Sequence, residues 1–256
     1  MFLKVISTGS QSGNCYALMS DSGEILLLDF GVKSPKALLK GIDYHIADVK
    51  AALLTHIHSD HSNLYKWLLN NGIPIYTNDE TADHFEIISG ERMIGLPERI
   101  PKRIGSWTIV PFYLPHTTGD KETGALIPCP NFGYLIEHKE MGKLLYQTDM
   151  EYSPFSFKSQ RINHLVIESN YCEDLVDNAD ANYSHRLQGH CSLETCKGIV
   201  AANKTTDLRT VTLIHLSDSA ADPDRMKSEI QQVAGKWVLV EIAEKNSVVS
   251  LSKYPF

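Results

Sequence analysis

With 256 residues, 43% hydrophobic and 21% charged, the chain has an ordinary globular composition and is long enough for one large α/β domain. A net charge of −7 disfavours non-specific nucleic-acid binding through a basic surface, although bound divalent cations would make a cleft locally positive. No apolar run approaches about 18 residues, residues 1–6 lack the features of a signal peptide, and five cysteines without a repeated short spacing fit a reducing cytoplasm better than a disulfide framework.

In chain order, residues 3–8 are apolar and β-prone, followed by the turn-rich segment 9–14 and a strand at 15–19. Asp21-Ser22-Gly23 is a hairpin signal, and the chain returns as a strand over 24–28 that ends at Asp29-Phe30-Gly31. Ser34 as N-cap and Pro35 at the first helical position open a helix to about Lys40. A strand over 49–55 follows, then a short helix with Leu64, Trp67 and Leu68 on one face, a strand at 73–77 and a helix at 80–88. Residues 106–114 read as a strand ending in Pro115-His116, residues 117–130 as a polar loop, and 132–138 with 143–147 as a hairpin turning at 140–142. Strands at 144–147, 164–167 and 210–214 run into Asp149, Glu168 and His215 respectively. Helices are expected after Ser192 and after Asp222-Pro223, and residues 237–242 and 247–251 read as a closing hairpin. No linker or composition shift divides the chain, which predicts one domain over 1–256.

The chemistry concentrates in Thr55-His56-Ile57-His58-Ser59-Asp60-His61, three imidazoles and a carboxylate in six positions from a chain with 11 histidines. Neutral imidazole and carboxylate suit zinc and its first-row neighbours. Residues two apart on an extended chain point the same way, so His56 and His58 can share an ion; Asp60 and His61, in the following turn, can face a second. Further His and Asp residues stand at or just past strand ends, at Asp29, His116, Asp149 and His215, the edge where layered α/β folds assemble sites.

These residues resemble the metallo-β-lactamase superfamily. The 55–61 segment matches its HxHxDH signature, and Asp29, His116, Asp149 and His215 follow in the order of its remaining motifs. The resemblance implies an α/β, four-layer αββα sandwich of two mixed sheets flanked by helices, with the site along one edge. It implies two divalent ions, Zn²⁺ or Mn²⁺ with Fe²⁺ also suited, one held by His56, His58 and His116, the other by Asp60, His61 and His215, bridged by Asp149. Asp29 would orient ligands rather than bind. Residues 7–16, 27–31, 168–171 and 189–192 further resemble the YycJ/WalJ-type small nuclease-like members, although Cys191 replaces a larger aliphatic residue and the segment 119–130 is longer and more polar than in that pattern.

The family reading makes Asp60, His190 and Glu168 the candidate catalytic groups. His190 would contact a substrate phosphate or protonate a leaving oxygen, and Glu168 would hydrogen-bond His190 or a ligand. Arg186 is a candidate phosphate contact. His185 and His164 are expected to be incidental, and Asn14 stands in a Gly-rich turn that could present backbone donors to an anion, although such turns mostly just turn. The expected function is a binuclear phosphodiesterase, a DNA exonuclease-like nuclease using a metal-bridged hydroxide on nucleic acid or a small phosphodiester, in the cytoplasm and away from membranes. The alternative is a lactone or thioester hydrolase on the same metals, which a pocket lined by Phe112, Tyr113 and Leu114 would favour. A non-catalytic binding module would require a missing ligand, and none is missing.

Overall fold

The computed structural model of the protein describes every residue except 121, 122, 178, 180–182 and 254–256. Its first half is a meander of β1 (Phe2–Ser7), β2 (Cys15–Met19) and β3 (Ile25–Phe30), then α1 (Pro35–Gly41), β4 (Val49–Leu53), α2 (Ser59–Ser62), α3 (Tyr65–Asn70), β5 (Ile75–Thr77), α4 (Asp79–Ser89) and β6 (Ile94–Gly95). The second half runs β7 (Lys102–Ile104), β8 (Trp107–Leu114), β9 (Thr117–Gly119), β10 (Leu126–Pro128), β11 (Asn131–His138), β12 (Gly142–Gln147), β13 (His164–Glu168), α5 (Tyr183–Gly189), α6 (Leu193–Asn203), β14 (Thr210–Ile214), α7 (Pro223–Ala234), β15 (Leu239–Ile242) and β16 (Val248–Ser250). Two seven-stranded mixed sheets result, β16-β1-β2-β3-β4-β5-β6 and β15-β14-β13-β12-β11-β8-β7. Among the described residues no helix is long and apolar enough to cross a membrane.

Strand alternation explains the layers. Leu26 and Leu28 of β3 face the other sheet, where they pack with Tyr134, Tyr146 and Val166. Leu27 turns outward against Leu38, Leu68 and Phe85 of the first helical layer. On the second sheet, Leu165 and Ile167 turn outward against Cys196, Ile199 and Met226. Strands covered on both faces must be apolar throughout, which is why β3 and β13 read as continuous hydrophobic runs. The helices begin where their caps stand: Asn78 accepts from the Thr81 N–H, Ser192 from Thr195 and Asp222 from Arg225.

Five local expectations change. Residues 117–130 form a small β9–β10 hairpin rather than a loop, with residues 121 and 122 of its turn outside the described residues. The final two strands are not a hairpin: β15 pairs parallel with β14, whereas β16 crosses to pair antiparallel with β1. Asp60 and His61 lie in the one-turn helix α2 rather than a turn. Ser34 precedes α1 without a side-chain capping bond, leaving Pro35 to start it. Helix α5 has no counterpart in the sequence reading.

The edge that carries the site is tied across the sandwich. Tyr134 Oη donates to the Leu54 carbonyl at 2.6 Å, and the Phe132 N–H donates to the Thr55 carbonyl at 3.0 Å. The second sheet thereby holds the segment that emerges from β4 with His56 and His58.

Candidate metal centre

Asp29, Asp149 and His215 each close a buried strand with positive φ (52°, 49° and 56°). For a residue with a Cβ this left-handed backbone costs on the order of 1 kcal/mol or more, least for Asp, Asn and similar short polar side chains. Such turns swing the side chain off the sheet and into the edge, so backbone strain and site geometry share a cause.

The first group is His56, His58 and His116 with Asp149, whose donor atoms lie within 4.8 Å of one another. His56 Nε2 is 2.9 Å from His58 Nδ1, which is 3.2 Å from His116 Nε2. The opposite ring nitrogens are committed. His116 Nδ1 donates to the Gly189 carbonyl at 2.8 Å. His56 Nδ1 donates to Thr55 Oγ1 at 2.9 Å, since that hydroxyl gives its own hydrogen to Asp29. His58 Nε2 meets Thr118 Oγ1 at 2.9 Å, a contact supplied by the β9 hairpin. These partners assign the tautomers. Lone pairs therefore converge on one point, an arrangement that repels unless a cation sits among them. Burial keeps all three neutral, pushing His58 down to about 4, His116 to about 3 and His56 well below the ordinary range.

The second group is Asp60, His61 and His215. His61 Nε2 lies 3.5 Å from Asp60 Oδ2 and 3.2 Å from Asp149 Oδ1, and His215 Nε2 lies 3.7 Å from Asp60 Oδ2. Burial opposes charge here too, but carboxylates win. Asp149, Asp29 and Asp60 hold His61 well above the ordinary imidazole range. Asp149, Asp60 and Glu168 raise His215 to about 10. In return, burial notwithstanding, His215 and His61 hold Asp149 well below the carboxylate range, and His61 and His215 lower Asp60. Protons occupy positions that a cation would take. The donor set fits a dinuclear site: hard and borderline N/O groups gather as His56, His58, His116 and Asp149, as Asp60, His61 and His215, and as Asp149, Glu168, His190 and His215, and Asp149 Oδ1 also lies 3.2 Å from His61 Nε2.

The two clusters should therefore respond differently to pH. A first ion entering three neutral imidazoles should bind with affinity nearly flat between about pH 6 and 8. A second must displace protons from His61 and His215, so its apparent affinity should rise by about tenfold per pH unit for each proton released. Zinc titrations by calorimetry in buffers of different ionisation enthalpy would read this directly; equal proton release from both phases would refute the assignment. The same raised values stabilise the metal-free fold fully below about pH 6.5, and that contribution is lost as pH climbs through the folded value near 10.

A second layer orients these ligands. The Asp29 carboxylate, fully buried, accepts from Thr55 N (2.9 Å), Thr55 Oγ1 (3.0 Å), Tyr146 Oη (2.7 Å) and His61 Nδ1 (2.8 Å). Asn14, unpromising in the sequence, is also fully buried, its Nδ2 3.2 Å from Asp60 Oδ2 and 3.0 Å from His61 Nε2. Its backbone N–H donates to the Asp60 carbonyl at 2.7 Å, and its carbonyl accepts from the Gly31 N–H at 2.8 Å. A Cβ on Gly31 would be driven into the Asp60 carbonyl. Gly31→Ala should accordingly cost about 1–3 kcal/mol and weaken the second ion by about 10–100-fold while sparing the first, as melting and metal titration would report.

Glu168 sits behind both clusters. Its Oε1 accepts from His190 Nδ1 and His215 Nδ1, each at 2.7 Å, and its Oε2 from the Met150 and Cys191 N–H groups, each at 3.1 Å. His190 and then His215 keep it ionised despite complete burial. His190 lines a cleft of about 480 Å³ together with His58, Asp60, Asp149, His185 and Arg186. Arg186 also reaches Ser219 Oγ at 3.4 Å. His164 is remote, at the start of β13 on Thr210. Phe112 and Leu114 are core residues, and Tyr113 donates to Glu80, so the apolar pocket that would favour lactones is not formed by them. All five cysteines are free and buried.

Residues 8–137, half of the chain, match the metallo-beta-lactamase superfamily. The exodeoxyribonuclease YycJ of Bacillus anthracis is 27% identical over 236 residues, spanning 85% of this chain and 83% of the relative. The metallo-beta-lactamase fold protein YhfI of Bacillus subtilis superposes with a TM-score of 0.73 at 20% identity, covering 96% of this chain and 98% of its own. Unliganded yeast PDE1 superposes with a TM-score of 0.67 at 13% identity, covering 97% and 99%.

Proposed function

The chain belongs to the metallo-β-lactamase superfamily, and from that premise we propose that this hydrolase is a two-metal phosphodiesterase acting on nucleic acid, a DNA nuclease of exonuclease type. The observation that carries the reading is the Glu168–His190 pair: buried Glu168 holds His190 Nδ1 at 2.7 Å, and His190 lines the cleft together with Asp149. One ion would be held by His56, His58 and His116, the other by Asp60, His61 and His215, with Asp149 shared. Bound there, two divalent cations supply Lewis acidity and an acidified water for in-line displacement at phosphorus. With Nδ1–H held by Glu168, the imidazolium form of His190 would carry a second hydrogen on Nε2, which it would donate to a phosphate oxygen or transfer to the departing one, leaving the neutral Nδ1–H imidazole. Asp29 and Asn14 hold His61 and Asp60 in place. The relative from Bacillus anthracis, an exodeoxyribonuclease, supports nucleic acid over other phosphodiesters.

The cleft lining sets Arg186 against Asp60, Asp149 and Asp218, so an anionic substrate would be repelled until cations are bound. Labelled single- and double-stranded DNA and RNA, incubated with the purified protein across Zn²⁺, Mn²⁺ and Mg²⁺, test the proposal. Metal-dependent loss of terminal nucleotides from DNA is expected, together with hydrolysis of a bis-aryl phosphodiester that His58→Ala abolishes with the fold intact. Inert nucleic acids alongside lactone or thioester hydrolysis would overturn it.

A further inference from the structure

We propose that His185 is a second substrate-contacting imidazole of the cleft, holding a non-bridging phosphate oxygen on the side of His58 and His116; the ligand class rests on the phosphodiesterase reading. His185 and Gly189 lie four apart on α5 and share one face of it. That face is fastened to the first cluster, because the Gly189 carbonyl accepts from His116 Nδ1 at 2.8 Å. The His185 ring consequently stands 6.0 Å from His116, 6.3 Å from His58 and 5.3 Å from His190, centroid to centroid. It lines the same cleft. Among the described residues, none of the donor clusters able to hold an ion includes it. It therefore stands one layer out from the ions, where a group bound to them would lie.

The nitrogen chemistry singles this residue out. His185 Nδ1 is buried and has no hydrogen-bond partner among the described residues. Leaving such a group unpaired costs about 1–3 kcal/mol. The surrounding imidazoles do not relieve it: His116 Nδ1 is engaged by Gly189, His190 Nδ1 by Glu168 and His58 Nε2 by Thr118. A Cβ on Gly189 would stand 3.3 Å from His185 Cε1 and 3.4 Å from His116, so the bare glycine leaves room for both rings beside the helix. A neutral imidazole can present Nδ1–H as a donor, and a turn of the ring about χ2 that carries this buried nitrogen to the cleft wall would let a phosphate oxygen supply the missing acceptor.

The test uses the metal-loaded full chain and two variants. His185→Phe keeps the ring and removes the nitrogen; His185→Asn keeps an amide near the Nδ1 position. Inorganic phosphate is the probe, titrated calorimetrically, with KM and kcat for a bis-aryl phosphodiester measured alongside and metal content by elemental analysis. His185→Phe should weaken phosphate and raise KM by about tenfold, with kcat moving less than about threefold and both ions retained; His185→Asn should stay within about threefold of the parent protein. Unchanged phosphate affinity in His185→Phe, an equal loss in His185→Asn, or a fall confined to kcat would each overturn the proposal. Phosphate binding is read without turnover. A protein that binds phosphate through His185 yet cleaves no phosphodiester would refute the function proposed above while supporting this contact.

Discussion

Asp149→Asn is expected to lower phosphodiester turnover by at least about 10³-fold while leaving the protein folded. The backbone at this position has φ of 49°, a conformation that asparagine tolerates as readily as aspartate. Asn131 Nδ2 would still hold the Thr148 and Asp149 carbonyls, at 2.9 and 2.6 Å, and Thr148 Oγ1 could still donate to the side-chain oxygen. What disappears is charge. Asp149 Oδ1 faces His61 Nε2 at 3.2 Å, and Oδ2 faces His56 Nε2 at 3.7 Å, so one carboxylate addresses both clusters. A unit charge pair about 4 Å apart is worth about 4 kcal/mol at an effective dielectric near 20, which is about three powers of ten. Elemental analysis should find the bound metal falling from about two ions per chain to about one or fewer. Protons released on metal binding should fall as well, because Asp149 heads the charges that raise His61 and His215. Two firmly held ions and near-normal turnover in this variant would exclude a shared carboxylate.

That expectation could be framed from sequence, since the residues behind it carry local signals. Three histidines and Asp60 within 56–61 are a pattern few other chemistries explain, and Asp149 and His215 stand where runs of buried apolar residues stop. The αββα layering is legible for the same reason, as strands buried on both faces cannot hide their composition. Other features carry no such signal. Helix α5 spans Tyr-Ser-His-Arg-Leu-Gln-Gly, too short and too polar for a helical period to emerge, so His185 passed as incidental. The segments forming β15 and β16 have strand composition, but pairing is a long-range property, and each found its partner in a different sheet. Asn14 looks like one more turn residue because its contacts, Asp60 and His61, are 46 and 47 positions away. The β9–β10 hairpin lacks alternation, yet it supplies the Thr118 hydroxyl on His58. Local pattern points to the candidate ligands; the groups that aim them are assembled by topology.

Glu168 is where that aiming is most concentrated, and Glu168→Gln should be nearly as damaging as Glu168→Ala. The carboxylate receives four donors: two imidazole N–H groups at Oε1 and two backbone N–H groups at Oε2. A carboxylate can accept all four, whereas an amide replaces one oxygen with a donor. If the amide nitrogen faces Met150 and Cys191, two buried N–H groups lose their acceptor. If it faces the imidazoles, His190 and His215 lose their common anchor. Both orientations leave two donors opposed by a third, at about 1–3 kcal/mol each. A loss of roughly 2–5 kcal/mol should appear as a melting temperature lower by roughly 5–15 °C. Turnover should drop by about 100-fold, the scale of removing an orienting partner from a metal ligand. The two orientations are separable: a loss of the second metal ion marks the released His215, whereas retained metal with low melting marks the unpaired backbone. An isosteric amide that preserved stability, metal content and turnover together would mean that the negative charge of Glu168 does not organise the cleft.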